Sequence, residues 1–211
     1  MKVIAIAAEK GGVGKSTIAL NLATHLDEPD RPSAIIDLDP QRSLRVWFDR
    51  REAETPILVE TNAAGLGDVL DAARSDGIGF AILDLAPHDS ATMATAMRAA
   101  DLVLIPCRPN AFDLAAAEST ARMAETIGKP TLAVLNQTLP KRAFGRPSQV
   151  SDAAAVMESY GLKVCTTFIP SRVVSANAIL TGQSVAELGA DNSATKEYTA
   201  LAREIATALN H

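Results

Sequence analysis

AAEKGGVGKSTIALNLA, residues 7–23, follows a short apolar run and leads into a helical pattern. Its Gly14-Lys15-Ser16 fits the end of the phosphate-binding pattern G-x-x-x-x-G-K-S/T, but the first glycine position holds Glu9. A second lysine, Lys10, follows it, and then Gly11 and Gly12. Glycines let a backbone curl so that its N–H groups point at phosphate oxygens, and a helix N-terminus adds a favourable dipole. Gly11, Gly12, Val13, Gly14, Lys15, Ser16 and Thr17 are therefore expected around a nucleotide's phosphates. Lys15 should reach the β- and γ-phosphates, and Ser16 should offer its hydroxyl to Mg²⁺. The bland alternative, a glycine turn with a surface lysine, fits the strand–loop–helix setting poorly. One lysine is enough to hold a phosphate, so Lys10 needs a separate account.

Outward from this loop, short apolar runs alternate with longer helical patterns. Strands are predicted at 2–8, 33–38, 56–60, 80–85, 102–106, 131–136 and 164–169. Helices are predicted at 15–26, 41–51, 66–75, 90–99, 114–127, 148–160, 176–181 and 194–209. Several strands are apolar throughout, as expected of a parallel sheet buried on both faces. The alternation implies βαβ units with right-handed crossovers. The expected architecture is one α/β domain, residues 1–211, with a mostly parallel twisted sheet and helices on both faces. Ligands of such sheets sit at the C-terminal ends of the strands.

Three carboxylates fall at those ends. In AIIDLDPQRS (34–43), Asp37 and Asp39 flank one residue, which puts their side chains on one face. One acid can serve a magnesium shell while the other positions water; capping of the following helix is the simpler alternative. GFAILDLAP (79–87) ends an apolar run on Asp84, the form of an acid that holds magnesium directly or through water.

The 211 residues, 47% of them hydrophobic, can bury a sizeable sheet, and no run is long enough for a membrane span. The net charge of −5 gives no global attraction to nucleic acid, so any such binding needs a local basic patch. Cys107 and Cys165 lie far apart without a C-x-x-C pattern, which argues against a disulfide framework or a zinc site and for a cytoplasmic setting. The segment 137–148, QTLPKRAFGRPS, is the longest clear loop and the most basic one.

KGGVGKST (10–17) resembles the deviant phosphate loop of the ParA/MinD family of P-loop ATPases. DLDPQ (37–41) and ILDLAP (82–87) resemble its next two motifs, and VLIPCRPNAFDLAA (103–116) and FIPSRVVSANAILTGQSV (168–185) its later segments. The resemblance implies a P-loop NTPase fold and an ATP hydrolase using ATP/ADP and Mg²⁺. It implies that Lys10 reaches across an ATP-sandwich homodimer to the other subunit's phosphates. Asp39 would then orient the attacking water, and Asp37 and Asp84, with Ser16, would support magnesium. Asn136, Ile169 and Pro170 are candidates for the adenine pocket, with Pro106 and Pro109 on the ring or at the dimer seam. Strand-end turn chemistry is the alternative for each.

Within the family, the tail ATKEYTALAREIATALNH (194–211) mixes lysine and arginine with glutamate, which disfavours the membrane-binding branch resembling MinD. The cysteines do not match the nitrogenase-iron-protein pattern, and amidoligase relatives lack the second lysine. The chain opens at once on a strand, as in small plasmid partition ATPases. That resemblance implies non-specific DNA binding on the nucleoid, a ParB-like centromere-binding adaptor, and dimers or longer polymers in the ATP state. Candidate phosphate contacts are Lys141, Arg142, Arg146 and Arg172; a solvated basic loop is the alternative. Arg42, Arg45, Arg50 and Arg51 are expected on a helix surface. A scaffold-positioning ATPase acting on a membrane or protein cargo is the second functional reading, and an ATP-dependent ligase the third.

Overall fold

The computed structural model describes residues 1–140 and 147–210. Strands β1 (Lys2–Ile6), β2 (Ser33–Asp37), β3 (Ile57–Glu60), β4 (Phe80–Asp84), β5 (Leu102–Cys107), β6 (Thr131–Thr138) and β7 (Ile169–Pro170) form one sheet. Their order is β3-β2-β4-β1-β5-β6-β7, and every pairing is parallel. The helices are α1 (Lys15–His25), α2 (Ser43–Phe48), α3 (Leu66–Ser75), α4 (Ser90–Ala99), α5 (Ala111–Ile127), α6 (Ser148–Ser159), α7 (Val173–Leu180) and α8 (Ser193–Ala208).

Strand alternation divides the core into two layers. Val3 and Ala5 of β1 face one layer, with Ile36, Leu83, Met93, Met97, Leu114 and Met157. Ile4 and Ile6 face the other, with Ile18, Leu22, Ile82, Tyr198, Leu201 and Ile205. The central strands read as unbroken apolar runs because both faces are covered. Ile18, Ala19, Leu20, Leu22 and Ala23 of α1 are all buried, so the helix behind the phosphate loop is held on most of its circumference. The loop therefore rests on a rigid base.

The sheet bears out six of the predicted strands, with ends moved by two residues at most. The seventh is the exception. Val164 bridges Ala133 and the Cys165 amide donates to the Ala133 carbonyl at 2.8 Å, as a strand would. The chain then leaves the ladder, because the amides of Thr166 and Thr167 donate to the two oxygens of Glu204 at 2.6 and 3.0 Å. Only Ile169–Pro170 return to the sheet. The helix predicted at 41–51 is confined to Ser43–Phe48. Arg42 adopts the left-handed conformation (φ 49°, ψ 41°), which a right-handed helix cannot include. At the other end Arg50 and Arg51 are drawn off to the carbonyls of Leu180, Thr55 and Gly182. Helix α5 starts three residues before its predicted first residue because the Asn110 side chain accepts from the Asp113 amide and caps it.

Candidate nucleotide site

The phosphate loop leaves β1 at the centre of the sheet, between the carboxyl ends of β4 and β5. Gly12 (φ 73°) and Gly14 (φ 93°) take left-handed conformations that L side chains rarely adopt. Gly14 also has no room for a side chain, since a methyl there would overlap Asn136 Nδ2. Two side chains at the end of β6 pull the loop back. Asn136 Nδ2 donates to the Val13 carbonyl at 2.7 Å, and Gln137 Nε2 donates to the Gly12 carbonyl at 3.0 Å. Consecutive strand residues normally point to opposite faces. Both reach the loop here because Gln137 has φ 52° and the β6–β7 register slips between Asn136 and Thr138. With the Gly12 and Val13 carbonyls tied backwards, the Val13 and Gly14 amides of the same peptide units point the other way and are left to face an anion.

Glu9, at the missing glycine position, ties the loop to α5. Its carboxylate accepts from the Ser119 hydroxyl at 2.9 Å, and its amide donates to Thr120 Oγ1 at 3.4 Å. The two lysines beyond it part company. Lys15 is buried, 7% exposed, and its ammonium donates to the Lys10 carbonyl at 3.3 Å. Burial lowers its pKa, and Asp84 and Asp39 oppose that shift. Lys10 is exposed and forms no ion pair with a described residue.

The sheet register sets three carboxylates in a row, with Asp37 opposite Glu60 on one side and Asp84 on the other. Ser16, at the start of α1, is the neighbour that most favours the ionised form of Asp84. Asp37 Oδ2 and Asp84 Oδ1 are buried without a partner. Orphaned, hard carboxylate oxygens beside a hydroxyl fit Mg²⁺, which takes one or two carboxylates and completes its shell with water and phosphate oxygens. Among the described residues no set of three or more protein ligands forms a metal cage of its own. Asp39 lies in the following turn. Its Oδ1 accepts from the Gln41 amide at 2.9 Å, while its own amide donates to Asp37 Oδ1 at 2.9 Å.

Burial pushes the Asp84 carboxyl up to about 7, helped by the charge of Asp37 and opposed by Ser16 and Lys15. Burial likewise pushes Asp37 up to about 6. The unfolded chain ionises both near the ordinary carboxyl value of 3.8, so between these limits the native state binds more protons. That stability is complete at acid pH and is lost as pH rises through the folded values. In magnesium- and nucleotide-free buffer, melting temperature is expected to fall from pH 5 to pH 8. Asp84→Asn should flatten the fall; an equally steep one in that variant would contradict the assignment.

Asn136, Ile169 and Pro170 line one cavity of about 200 Å³ that opens beside Gly14 and Thr17. Tyr198, Ile179 and Ala176 complete an apolar wall. Pro106 and Pro109 do not line it: Pro106 is buried in β5, and the Pro109 carbonyl accepts from Gln149. The Asn136 amide assigned to the base is engaged with the phosphate loop. Arg172 forms a two-pronged ion pair with Glu197, at 2.8 and 2.6 Å. Lys141, Arg142 and Arg146 lie outside the described residues. Of the arginines expected on a helix surface, Arg51 lies beyond α2 with its side chain buried, stacked over Trp47 and paired with Glu187. Cys107 and Cys165 are buried, with thiols pushed up to about 12 by burial, which makes them inert.

The model of the CobQ/CobB/MinD/ParA nucleotide binding domain matches residues 4–186. The maintenance of carboxysome distribution protein A of Halothiobacillus neapolitanus is 33% identical, over 96% of this chain and 95% of that protein. The chromosome partitioning protein ParA of Caulobacter vibrioides is 27% identical, over 97% and 94%. The septum site-determining protein MinD of Pyrococcus horikoshii, solved with Mg-ADP, superposes with a TM-score of 0.76 at 17% identity, covering 97% of this chain and 95% of that one. The last match shows the fold: a single α/β unit with an all-parallel seven-stranded sheet.

Proposed function

The chain belongs to the CobQ/CobB/MinD/ParA nucleotide-binding family, and we propose that it is an ATP-hydrolysing switch that pairs on ATP and positions a large cargo along DNA. The observation that carries this reading is the separation of the two lysines. Lys15 is buried toward the carboxylates, whereas Lys10 is exposed and free of ion pairs with described residues. A buried lysine serves a phosphate of its own chain; an exposed one on the same loop suits the phosphates of a second chain. A cation supplied in trans neutralises transition-state charge only when two chains meet, so hydrolysis and pairing become coupled.

In this reading residues 1–211 are one ATPase domain, and Gly11 to Thr17 cradle the phosphates. Ser16, Asp37 and Asp84 hold Mg²⁺, which when bound supplies positive charge to the β- and γ-oxygens. Asp39 turns from its own loop to orient water, a weak form of activation that suits a slow clock. Ile169 and Pro170 face the base, while Asn136 lines the same cavity and holds the phosphate loop. The near full-length similarity to a carboxysome distribution protein favours a protein assembly as cargo. The similarity to a chromosome partitioning protein keeps a replicon as the second reading, with a centromere-binding adaptor in place of a scaffold-bound one. No helix among the described residues is long and apolar enough to cross a membrane.

Phosphate contacts to DNA fall to Lys141, Arg142 and Arg146, since Arg172 is already neutralised by Glu197. A dimer would offer about six such charges, for which affinity drops on the order of 10³ between 50 and 200 mM salt. Retention of random-sequence duplex by the ATP-loaded protein is expected to show that drop, to vanish with ADP, and to be lost when the three residues are replaced by alanine. ATP-loaded protein that ignores duplex DNA at 50 mM salt would overturn the DNA-track part of the reading.

A further inference from the structure

Arg42 is one of three non-glycine residues with positive φ among the described residues, and it stands three residues after Asp39. Its amide closes the turn by donating to the Asp39 carbonyl at 2.9 Å. Its guanidinium forms an ion pair with Glu60 at 3.1 Å, and Glu60 ends the strand beside Asp37. The turn that carries Asp39 is thus fixed at one end to its own strand β2 and at the other to the neighbouring β3. At one end the Asp39 amide bonds Asp37 Oδ1. At the other the only side-chain tether among the described residues is the Arg42–Glu60 pair. These residues also line a cavity of about 490 Å³ with Asn62 and Asp89, so the turn has open space to move into.

We infer that Arg42 and Glu60 are positioning residues for Asp39, a tether that holds an unfavourable backbone turn in the conformation from which the carboxylate can reach the phosphate site. An arginine in the left-handed region is held there against its own preference. The Arg42 side chain is 64% exposed, so the tether is a weak, solvent-screened one. Loss of the restraint lets the turn relax. Among the described residues no hydrogen bond of this turn reaches the phosphate loop, so the tether is expected to act on the hydrolytic step. This inference rests on the ATPase reading and on Asp39 as the water-orienting acid.

The test uses the full chain with ATP affinity and turnover measured separately. Glu60→Gln and Arg42→Gln are each expected to lower turnover about three- to tenfold with ATP affinity unchanged, because misplaced catalytic groups cost rate. Arg42→Gly is the informative rescue: glycine adopts the left-handed turn freely, so the tether becomes unnecessary. Arg42→Gly should turn over within about twofold of the wild type, and adding Glu60→Gln to it should change nothing further. A wild-type rate in Glu60→Gln, an equal loss from Glu60→Gln in the glycine background, or a parallel loss of ATP affinity would each overturn the inference while leaving the ATPase reading intact. Absence of hydrolysis by the wild-type chain would overturn both.

Discussion

Lys15→Ala is expected to remove nucleotide binding. The Lys15 ammonium is the one buried cation at the site among the described residues, sitting at the start of α1 with Asp84 and Asp39 as its electrostatic neighbours. No other described basic side chain can replace it, because Lys10 is exposed and Arg42 is bonded to Glu60. Truncating one partner of a buried charge pair typically costs 2–5 kcal/mol, or about 30-fold to several thousandfold in affinity. The loss also leaves the Asp37–Asp84 pair less compensated, which adds repulsion against a triphosphate. Titration with a fluorescent ATP analogue, beside a circular-dichroism check of folding, measures the effect. Affinity within a few-fold of the wild type would remove Lys15 from the phosphate contact.

Lys10→Ala should behave in the opposite way. ATP affinity of the single chain is expected to stay close to the wild-type value, because the Lys10 side chain is exposed and supports no described contact. Its backbone carbonyl, which accepts from Lys15, remains. Turnover should fall on the order of 10³, the scale of a cation supplied in trans to a transferring phosphoryl group. A mixing experiment separates a trans role from a cis one. Lys10→Ala and Asp39→Ala are each expected to be inactive alone. In a mixed dimer one site has an intact Asp39 from its own chain and an intact Lys10 from its partner. An equal mixture should therefore recover roughly a quarter of the wild-type rate, half the dimers being mixed and half their sites whole. A mixture as dead as its parts would place Lys10 in its own chain's site or in no site.

The expected effects follow from features that differ in how far they could be read from residues alone. The phosphate loop is contiguous, so its chemistry is carried by local backbone: a strand end, glycines able to take positive φ, and a helix start. Asp37 and Asp84 were legible for a related reason. Each ends an unbroken apolar run, and in a sheet covered on both faces the first polar residue marks the ligand-binding edge. Asn110 offers an intermediate case, since an asparagine three residues before Asp113 is a cap that local pattern could have supplied.

Other features had no local signal. Nothing near Gln137 marks it as a tether for Gly12, 125 positions away. Nothing near Glu9 points to Ser119 on α5, and a run of arginines gives no hint that Arg51 is buried against Trp47 and Glu187 while Arg50 stays outside. The strand predicted at 164–169 failed for the same reason: its amides were claimed by Glu204 from α8. Sequence by itself determined the α/β alternation, the nucleotide loop and the two-lysine pattern, because short-range backbone geometry and burial period are written in neighbouring residues. Tertiary structure alone decided which side chains restrain that loop and the Asp39 turn, because hydrogen bonds and ion pairs between distant segments exist only once the sheet has brought those segments within about 3 Å of each other.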